Sequence, residues 1–312
     1  MKIGLDIMGG DYAPKAAVLG AIAACKVLPA GQQLVLIGDK DVALSILQEN
    51  NFSADHFEFV HTTEVIDMRD HPAKAVIKKA DSSISVGYRL LKEGNIDAFS
   101  SAGNTGAMLV GSVLSVKTIE GVLRPAMSTN VPKLSGGFGL LIDVGANADC
   151  KPEYLYQFGI LGSIFAEAVY GMNKPRVALL NIGEEEEKGN ALCLAAYPMM
   201  KETTQFNFVG NIEGRDLFSD LADVYVADGF TGNVALKMAE SFYVISLKKR
   251  INDEFFARFN YEQYGGSPIL GINAPVVVGH GISSPEAIKN MVLLSRDMAQ
   301  SGLVGKIKNA FQ

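Results

Sequence analysis

The chain has no tryptophan, and only three cysteines and four histidines are spread over its 312 residues. Cys25, Cys150 and Cys193 form no C-x-x-C pair and no zinc-ligand spacing, so nothing suggests a disulfide framework or a metal centre. Their apolar or helix-like settings read as small buried hydrophobes in a reducing compartment. No apolar run approaches the roughly 20 residues that span a bilayer. The opening MKIGLDIMGGD turns acidic and glycine-rich too early for a signal peptide. A cytoplasmic protein, lying at most on a membrane surface, is expected. The net charge of −6 argues against nucleic acid as the main partner.

Familiar signatures are missing as well. There is no G-x-x-x-x-G-K-[ST], no G-x-G-x-x-G and no G-x-S-x-G, which argues against a P-loop, a usual dinucleotide site and the common serine hydrolase elbow. None of the four histidines has an aspartate five residues on, so a His-x4-Asp acyltransferase motif is absent too. His56, His61 and His71 read as ordinary surface or core histidines.

What the chain does have is apolar material: 48% hydrophobic residues against 20% charged. Short runs such as IGLDIM, QLVLIG, IDAFSS, GGFGLLIDVG, RVALLNIG, DVYVAD and APVVVG alternate with segments of helical length. Strands apolar at nearly every residue are buried on both faces, as in a largely parallel sheet covered by helices. The expected fold is one α/β/α sandwich over residues 1–312, with no firm boundary inside it. Polar residues gather where these strands end, and such edges are where open parallel sheets bind ligands. Asp6, Gly9, Gly10 and Asp11 close the first strand, Ser100 to Thr105 the fourth, and Asp143, Gly145 and Asn147 follow the FGLLIDVG run. Asn181 to Asn190, GNIEGRD, DGFTGN and the GHG around His280 complete the set.

Two of these loops share one form. SSAGNTGAM and DGFTGN each place small residues and a capping side chain at a helix start, where free N–H groups make an anion site. GEEEEKGN poses the opposite question, since Lys188 is the one cation after four carboxylates, which otherwise suit a solvated helix start. Beyond DGFTGN, a run free of Gly and Pro from Asn233 to about Phe259 predicts one helix about 40 Å long. It has two apolar stripes interrupted by Lys248, Lys249 and Arg250, and the apolar loop YGGSPILGI follows. Residues 233–272 read either as a core helix with a solvated basic face, or as a protruding helix. The latter would pair two subunits and present its tip to a membrane or an acidic carrier.

Eight stretches in register resemble one family, the phosphate acyltransferases acting on acyl-acyl carrier protein (the PlsX family). They are DIMGGDYAP, SSAGNTGAM, RPAMSTNVP, LLIDVGAN, LLNIGEEEEKGN, GNIEGRD, VYVADGFTGNVALK and VVVGHG, and they cover nearly the whole chain. The resemblance implies a fold like that of phosphotransacetylases and the isocitrate/isopropylmalate dehydrogenases, and a homodimer built partly through the long helix. It implies peripheral membrane attachment and reversible conversion of acyl-acyl carrier protein and inorganic phosphate to acyl phosphate and free carrier. That product would feed an acyl-phosphate:glycerol-3-phosphate acyltransferase in bacterial phospholipid synthesis.

With phosphate as its own nucleophile, such a reaction needs no metal or organic cofactor. Ser101, Asn104, Thr105 and Gly106 would bind phosphate or the oxyanion, with Arg124 a further phosphate candidate. Lys188 would supply positive charge. Asn233, with Thr231 and Gly232, would form a second oxyanion anchor oriented by Asp228. Asp6, Gly10 and Asp11 would line the pocket, and His280 would protonate the thiolate. Lys237, Lys248, Lys249, Arg250 and Arg258 would dock the acidic carrier. A phosphotransacetylase using acyl-CoA and a non-catalytic acyl-carrier or membrane-binding module are the rival readings.

Overall fold

The computed structural model describes residues 1–312, Tyr261 by its backbone alone. Apolar strand runs and amphipathic helices alternate as the sequence predicts. The first stretch contains β1 (Lys2–Asp6), α1 (Lys15–Cys25), β2 (Gln33–Gly38), α2 (Lys40–Glu49) and β3 (Phe57–His61). It continues with α3 (Pro72–Lys78), α4 (Ser83–Lys92), β4 (Ala98–Ser101) and α5 (Thr105–Ser115). Next come β5 (Ala126–Pro132), β6 (Phe138–Ile142), α6 (Pro152–Tyr170), β7 (Arg176–Asn181), α7 (Ala191–Lys201) and β8 (Asn207–Glu213). After β9 (Val224–Val226) follow α8 (Gly229–Lys249), α9 (Glu254–Ala257), β10 (Ser267–Leu270), β11 (Val276–Val278), α10 (Pro285–Gln300) and α11 (Leu303–Ala310).

These elements form two compact units, Met1–Thr118 with Glu262–Gln300 and Ile119–Tyr261 with Ser301–Gln312. The sequence shows no such boundary because the crossings fall in ordinary polar residues with no linker composition. In the first unit the strand order is β3-β2-β1-β4-β11-β10, parallel except for β10. In the second it is β5-β6-β9-β7-β8, with β5 antiparallel. The strand runs are buried as a parallel sheet requires: Ile3, Leu5, Val177 and Val224 have no exposed surface. In the first unit, the Tyr88 hydroxyl of α4 donates to the Met108 carbonyl of α5 at 2.5 Å, fixing the helix that follows β4.

Two sequence expectations are corrected here. The long helix does not run unbroken to Phe259; it stops at Lys249, with Arg250 in the left-handed region (φ 56°). Asp253 then starts α9 by accepting the Phe255 and Phe256 N–H groups at 2.8 and 3.4 Å. An aspartate ahead of a helical run is a start signal, and it broke the pattern in two. Phe242, Phe255 and Phe259 close around Phe218, with ring centroids 5.2–6.1 Å from it, so these rings pack inside the unit while Val244, Leu247 and Ile251 stay exposed. The second correction concerns YGGSPILGI. Its Ser267–Leu270 portion is β10, paired with β11, and Ile269, Leu270 and Ile272 are buried. It is a sheet strand and presents no apolar tip.

Candidate functional site

In the first unit, three strand ends meet around a buried carboxylate. Asp6, at the end of β1, accepts the Met8 and Gly9 N–H groups at 2.8 and 3.1 Å and the Ser101 hydroxyl at 2.6 Å. Ser101 Oγ in turn accepts the Gly103 N–H at 2.9 Å, so one chain of hydrogen bonds sets the turn between β4 and α5. Only glycine fits at position 9, where a Cβ would lie 2.6 Å from the Gly103 nitrogen. The loop after β11 joins them, because the Asp11 N–H donates to the Gly281 carbonyl at 2.7 Å and Gly10 takes φ 104° beside it. His280 is half-buried in that loop, its carbonyl accepting the Ser283 N–H and hydroxyl at 2.9 and 2.6 Å.

Burial raises the Asp6 carboxyl above the ordinary aspartate value of 3.8, against the opposing pull of Ser101, Ser83 and two backbone donors. A group held more protonated in the fold adds stability that is complete below pH 3.8 and fades as pH rises through the raised value. Asp6→Asn, which does not titrate, is therefore expected to cost more stability near pH 4 than at neutral pH. Urea unfolding at the two pH values measures the difference, and an equal cost at both would contradict it.

At the start of α5, Asn104 caps the helix: its Oδ1 accepts the Ala107 N–H at 2.9 Å and its carbonyl accepts the Met108 N–H at 2.9 Å. Among the described first-turn donors the cap leaves the Thr105 and Gly106 N–H groups unengaged, with Thr105 exposed. The other face of the Asn104 amide corrects the sequence expectation. Its Nδ2 donates to the carbonyls of Asp67, Met68 and Asp70 at 3.1, 3.3 and 3.2 Å, so the side chain is fully engaged on backbone and is not a free anion donor. Ser101 is likewise occupied. The sequence shows the cap but not what lies across from it.

The second unit repeats the plan. Asp143, fully buried after β6, accepts the Met127, Ala146 and Asn147 N–H groups at 3.0, 3.1 and 2.7 Å and the Asn147 amide at 2.9 Å. Desolvation raises this carboxyl too. Asn147 extends the scaffold by accepting the Gly229 N–H on its carbonyl at 2.8 Å, which seats the start of α8. Gly232 presses on the Asp143 carbonyl where any Cβ would overlap it. Asp228 caps α8, accepting the Thr231 N–H at 2.9 Å and its hydroxyl at 2.7 Å. The expectation that Asp228 orients Asn233 is corrected, for the Asn233 amide donates instead to the Val144 carbonyl at 3.1 Å. Asp143 and Asn147, noted in the sequence only as polar residues at a strand end, are the organisers of this loop. The available signal was an Asp straight after a buried strand with glycine close behind, the pattern already noted at Asp6.

Lys188 lies exposed in the turn before α7, and its ammonium has no carboxylate within ion-pair distance among the described residues. Arg124 is exposed, its guanidinium 5.9 Å from the Tyr154 ring. The basic set divides. Arg258 donates to the Lys133 and Gly137 carbonyls at 2.6 and 3.0 Å, which ties it to the β5–β6 turn, and Lys237 pairs with Glu240 at 2.8 Å. Lys248, Lys249 and Arg250 remain exposed at the end of α8.

A family profile described as "Fatty acid synthesis protein" matches residues 1–249. A phosphate acyltransferase of Heliobacterium modesticaldum is 45% identical, over 99% of this chain and 97% of the relative. The chain belongs to this phosphate acyltransferase family. Another member, from Dictyoglomus turgidum, is 42% identical over 98% of this chain and 96% of its own. Membership makes the chain an acyltransferase enzyme of fatty-acid and lipid synthesis. Solved structures agree on the fold. A phosphotransacetylase from Streptococcus pyogenes superposes with TM-score 0.69 at 15% identity, covering 96% of this chain and 94% of that one. A branched-chain phosphotransacylase from Enterococcus faecalis V583 gives 0.65 at 16% identity, covering 96% and 99%. The expected likeness to phosphotransacetylases holds for the α/β architecture. No described helix is long and apolar enough to cross a membrane.

Proposed function

We propose that the protein transfers a long-chain fatty acyl group from acyl-acyl carrier protein to inorganic phosphate, giving acyl phosphate and free carrier, reversibly. A phosphate oxygen attacks the thioester carbonyl, the C–O bond forms, and the C–S bond of the tetrahedral intermediate breaks. The pantetheine sulfur leaves as a thiolate that takes a proton. The observation that carries this reading is the α5 start, where the Asn104 cap leaves the Thr105 and Gly106 N–H groups unengaged and Ser101, just before it, is bonded to the buried Asp6. Phosphate suits such a helix terminus.

Thr105 and Gly106 are the phosphate ligands in this reading, while Asp6, Gly10, Asp11 and Ser101 hold their loops in place. Lys188 is the cation and Arg124 a second one. The second amide hydrogen of Asn233 is the oxyanion donor, Thr231 and Gly232 hold the α8 start through their bonds to Asp228, and His280 protonates the departing thiolate. Holding the reactants in line and stabilising the oxyanion supply the rate, with the best oriented systems gaining about 7–11 kcal/mol from proximity.

The finer biology belongs to the same proposal: a cytoplasmic homodimer attached peripherally to the membrane, handing acyl phosphate to a glycerol-3-phosphate acyltransferase. Along α8, Phe230, Val234, Met238 and Ile245 are exposed at helical spacing, which suits a second copy of the chain. Lys248 and Lys249 suit an acidic carrier. Lys248→Glu/Lys249→Glu is expected to raise the carrier KM about tenfold at low ionic strength, with the effect shrinking once the Debye length falls to about 10 Å near 0.1 M salt. A raised phosphate KM instead would move these lysines into the anion site.

The deciding experiment mixes the protein with palmitoyl-acyl carrier protein and radiolabelled phosphate, then traps acyl phosphate with hydroxylamine, with palmitoyl-CoA in parallel. Phosphate-dependent hydroxamate, stronger with the carrier, is the expected result. Product from CoA alone would move the chain to the phosphotransacetylase reading, and no product from either would end the transacylase reading.

A further inference from the structure

The α5 start has a neighbour that the reaction above leaves unexplained. Residues 67–70 form a turn closed on itself: the Asp70 N–H donates to the Asp67 carbonyl at 3.0 Å and the Asp67 N–H to the Asp70 carboxylate at 2.9 Å. The Arg69 N–H donates to the Asp67 carboxylate at 2.9 Å. Lys79 anchors one side, through Asp70 at 2.6 Å and the Val65 carbonyl at 2.8 Å. Asn104 anchors the other side through three carbonyls, and α3, which follows the turn, sits with Pro72 only 2.5 Å from where a Gly106 Cβ would lie. Turn and helix start are thus one assembly within the first unit.

This turn carries Met68, which is 45% exposed, with its methyl 3.2 Å from the Cβ position of Gly281 in the β11 loop. The thioether therefore lies among glycines and polar loops at the strand ends, where no core requires it. Tyr12, beside Asp11, and Ile282, beside Gly281, are 58% and 43% exposed and extend the apolar surface from the same loops. Anion-competent N–H groups next to exposed apolar side chains match a ligand with a charged end and a long apolar one. Methionine, unbranched and polarisable, adapts to chains of differing shape.

We infer that the Asp67–Asp70 turn contacts the acyl chain of the donor through Met68, next to the reacting carbonyl, and that Asn104 is the positioning residue that holds this turn to the α5 start. The inference rests on the acyl-transfer reading above. Met68 then sets acyl selectivity without touching phosphate, and Asn104 acts through the turn.

Acyl-carrier substrates of short, medium and long saturated chain test it by hydroxamate formation. Met68→Ala is expected to shift the ratio of kcat/KM between long and short chains by about tenfold or more, with phosphate KM changed less than about threefold. Asn104→Ser keeps a helix cap but has a hydroxyl too short for the three carbonyls. It is expected to speed amide exchange over residues 67–71 and raise the donor KM, leaving phosphate KM near its original value. An unchanged chain-length ratio in Met68→Ala would overturn the inference while the transacylase reading stands. A phosphate KM raised at least tenfold in Asn104→Ser, with exchange at 67–71 unaltered, would do the same by making Asn104 a direct anion ligand. No hydroxamate from the unmodified protein at any chain length would overturn the underlying reading and the inference together.

Discussion

Lys188→Ala is expected to lower kcat/KM by about two to three orders of magnitude, the range seen when one charge-stabilising group is lost from an acyl-transfer site. The local structure makes this a clean test. The turn is held by backbone: the Lys188 N–H donates to the Glu185 carbonyl at 3.2 Å, and its carbonyl accepts the Asn181 amide at 3.1 Å. Asn211 secures the Glu185 carbonyl at 2.9 Å. Nothing in this set uses the ammonium. Of the four preceding glutamates, Glu186 is taken by Lys201 at 2.5 Å, and among the described residues none of the four is within ion-pair distance of Lys188. Thermal unfolding should therefore be nearly unchanged, as for exposed substitutions that cost within about 0.5 kcal/mol. Lys188→Arg, with a planar fork in place of a compact ammonium, should recover only part of the rate. Near-normal turnover in the alanine variant would remove Lys188 from the mechanism.

The largest stability effect is expected at Asp143, where replacement by alanine should cost about 3–5 kcal/mol. Four hydrogen bonds converge on one buried carboxylate, and they tie the β5 start, the loop after β6 and, through Asn147, the seat of α8. Each buried donor left without a partner costs about 1–3 kcal/mol, and relaxation of the loop recovers part of the sum. Because a whole domain is stable by only about 5–15 kcal/mol, such a loss is a large fraction. Urea unfolding measures it directly. A cost under about 1 kcal/mol would show that water replaces the carboxylate, and the loop would then owe its shape to the backbone alone.

Most of the fold was legible because both-face burial writes itself into sequence as unbroken apolar runs. The parallel strands and the capped starts at Asn104 and Asp228 follow from such local signals, whereas the antiparallel β5 and β10 do not. The misreadings share a cause. Asn104 looks the same whether its amide faces an anion or three carbonyls, and those carbonyls lie 34–37 residues earlier in the chain. Arg258 looks like its neighbours Lys248 and Lys249 until the β5–β6 turn, more than 120 residues away, accepts its protons. YGGSPILGI looks like an exposed apolar loop until β11 pairs with part of it.

The sequence by itself determined the α/β class, the family and the loops that gather polar residues at strand ends, because burial, capping and motif order are properties of contiguous residues. Tertiary structure alone decided which of those polar groups remain available. A side-chain amide, carboxylate or guanidinium is consumed by whichever partner the fold brings within about 3 Å. That choice separates the structural Asp6, Ser101, Asn104 and Arg258 from the exposed Thr105 and Lys188.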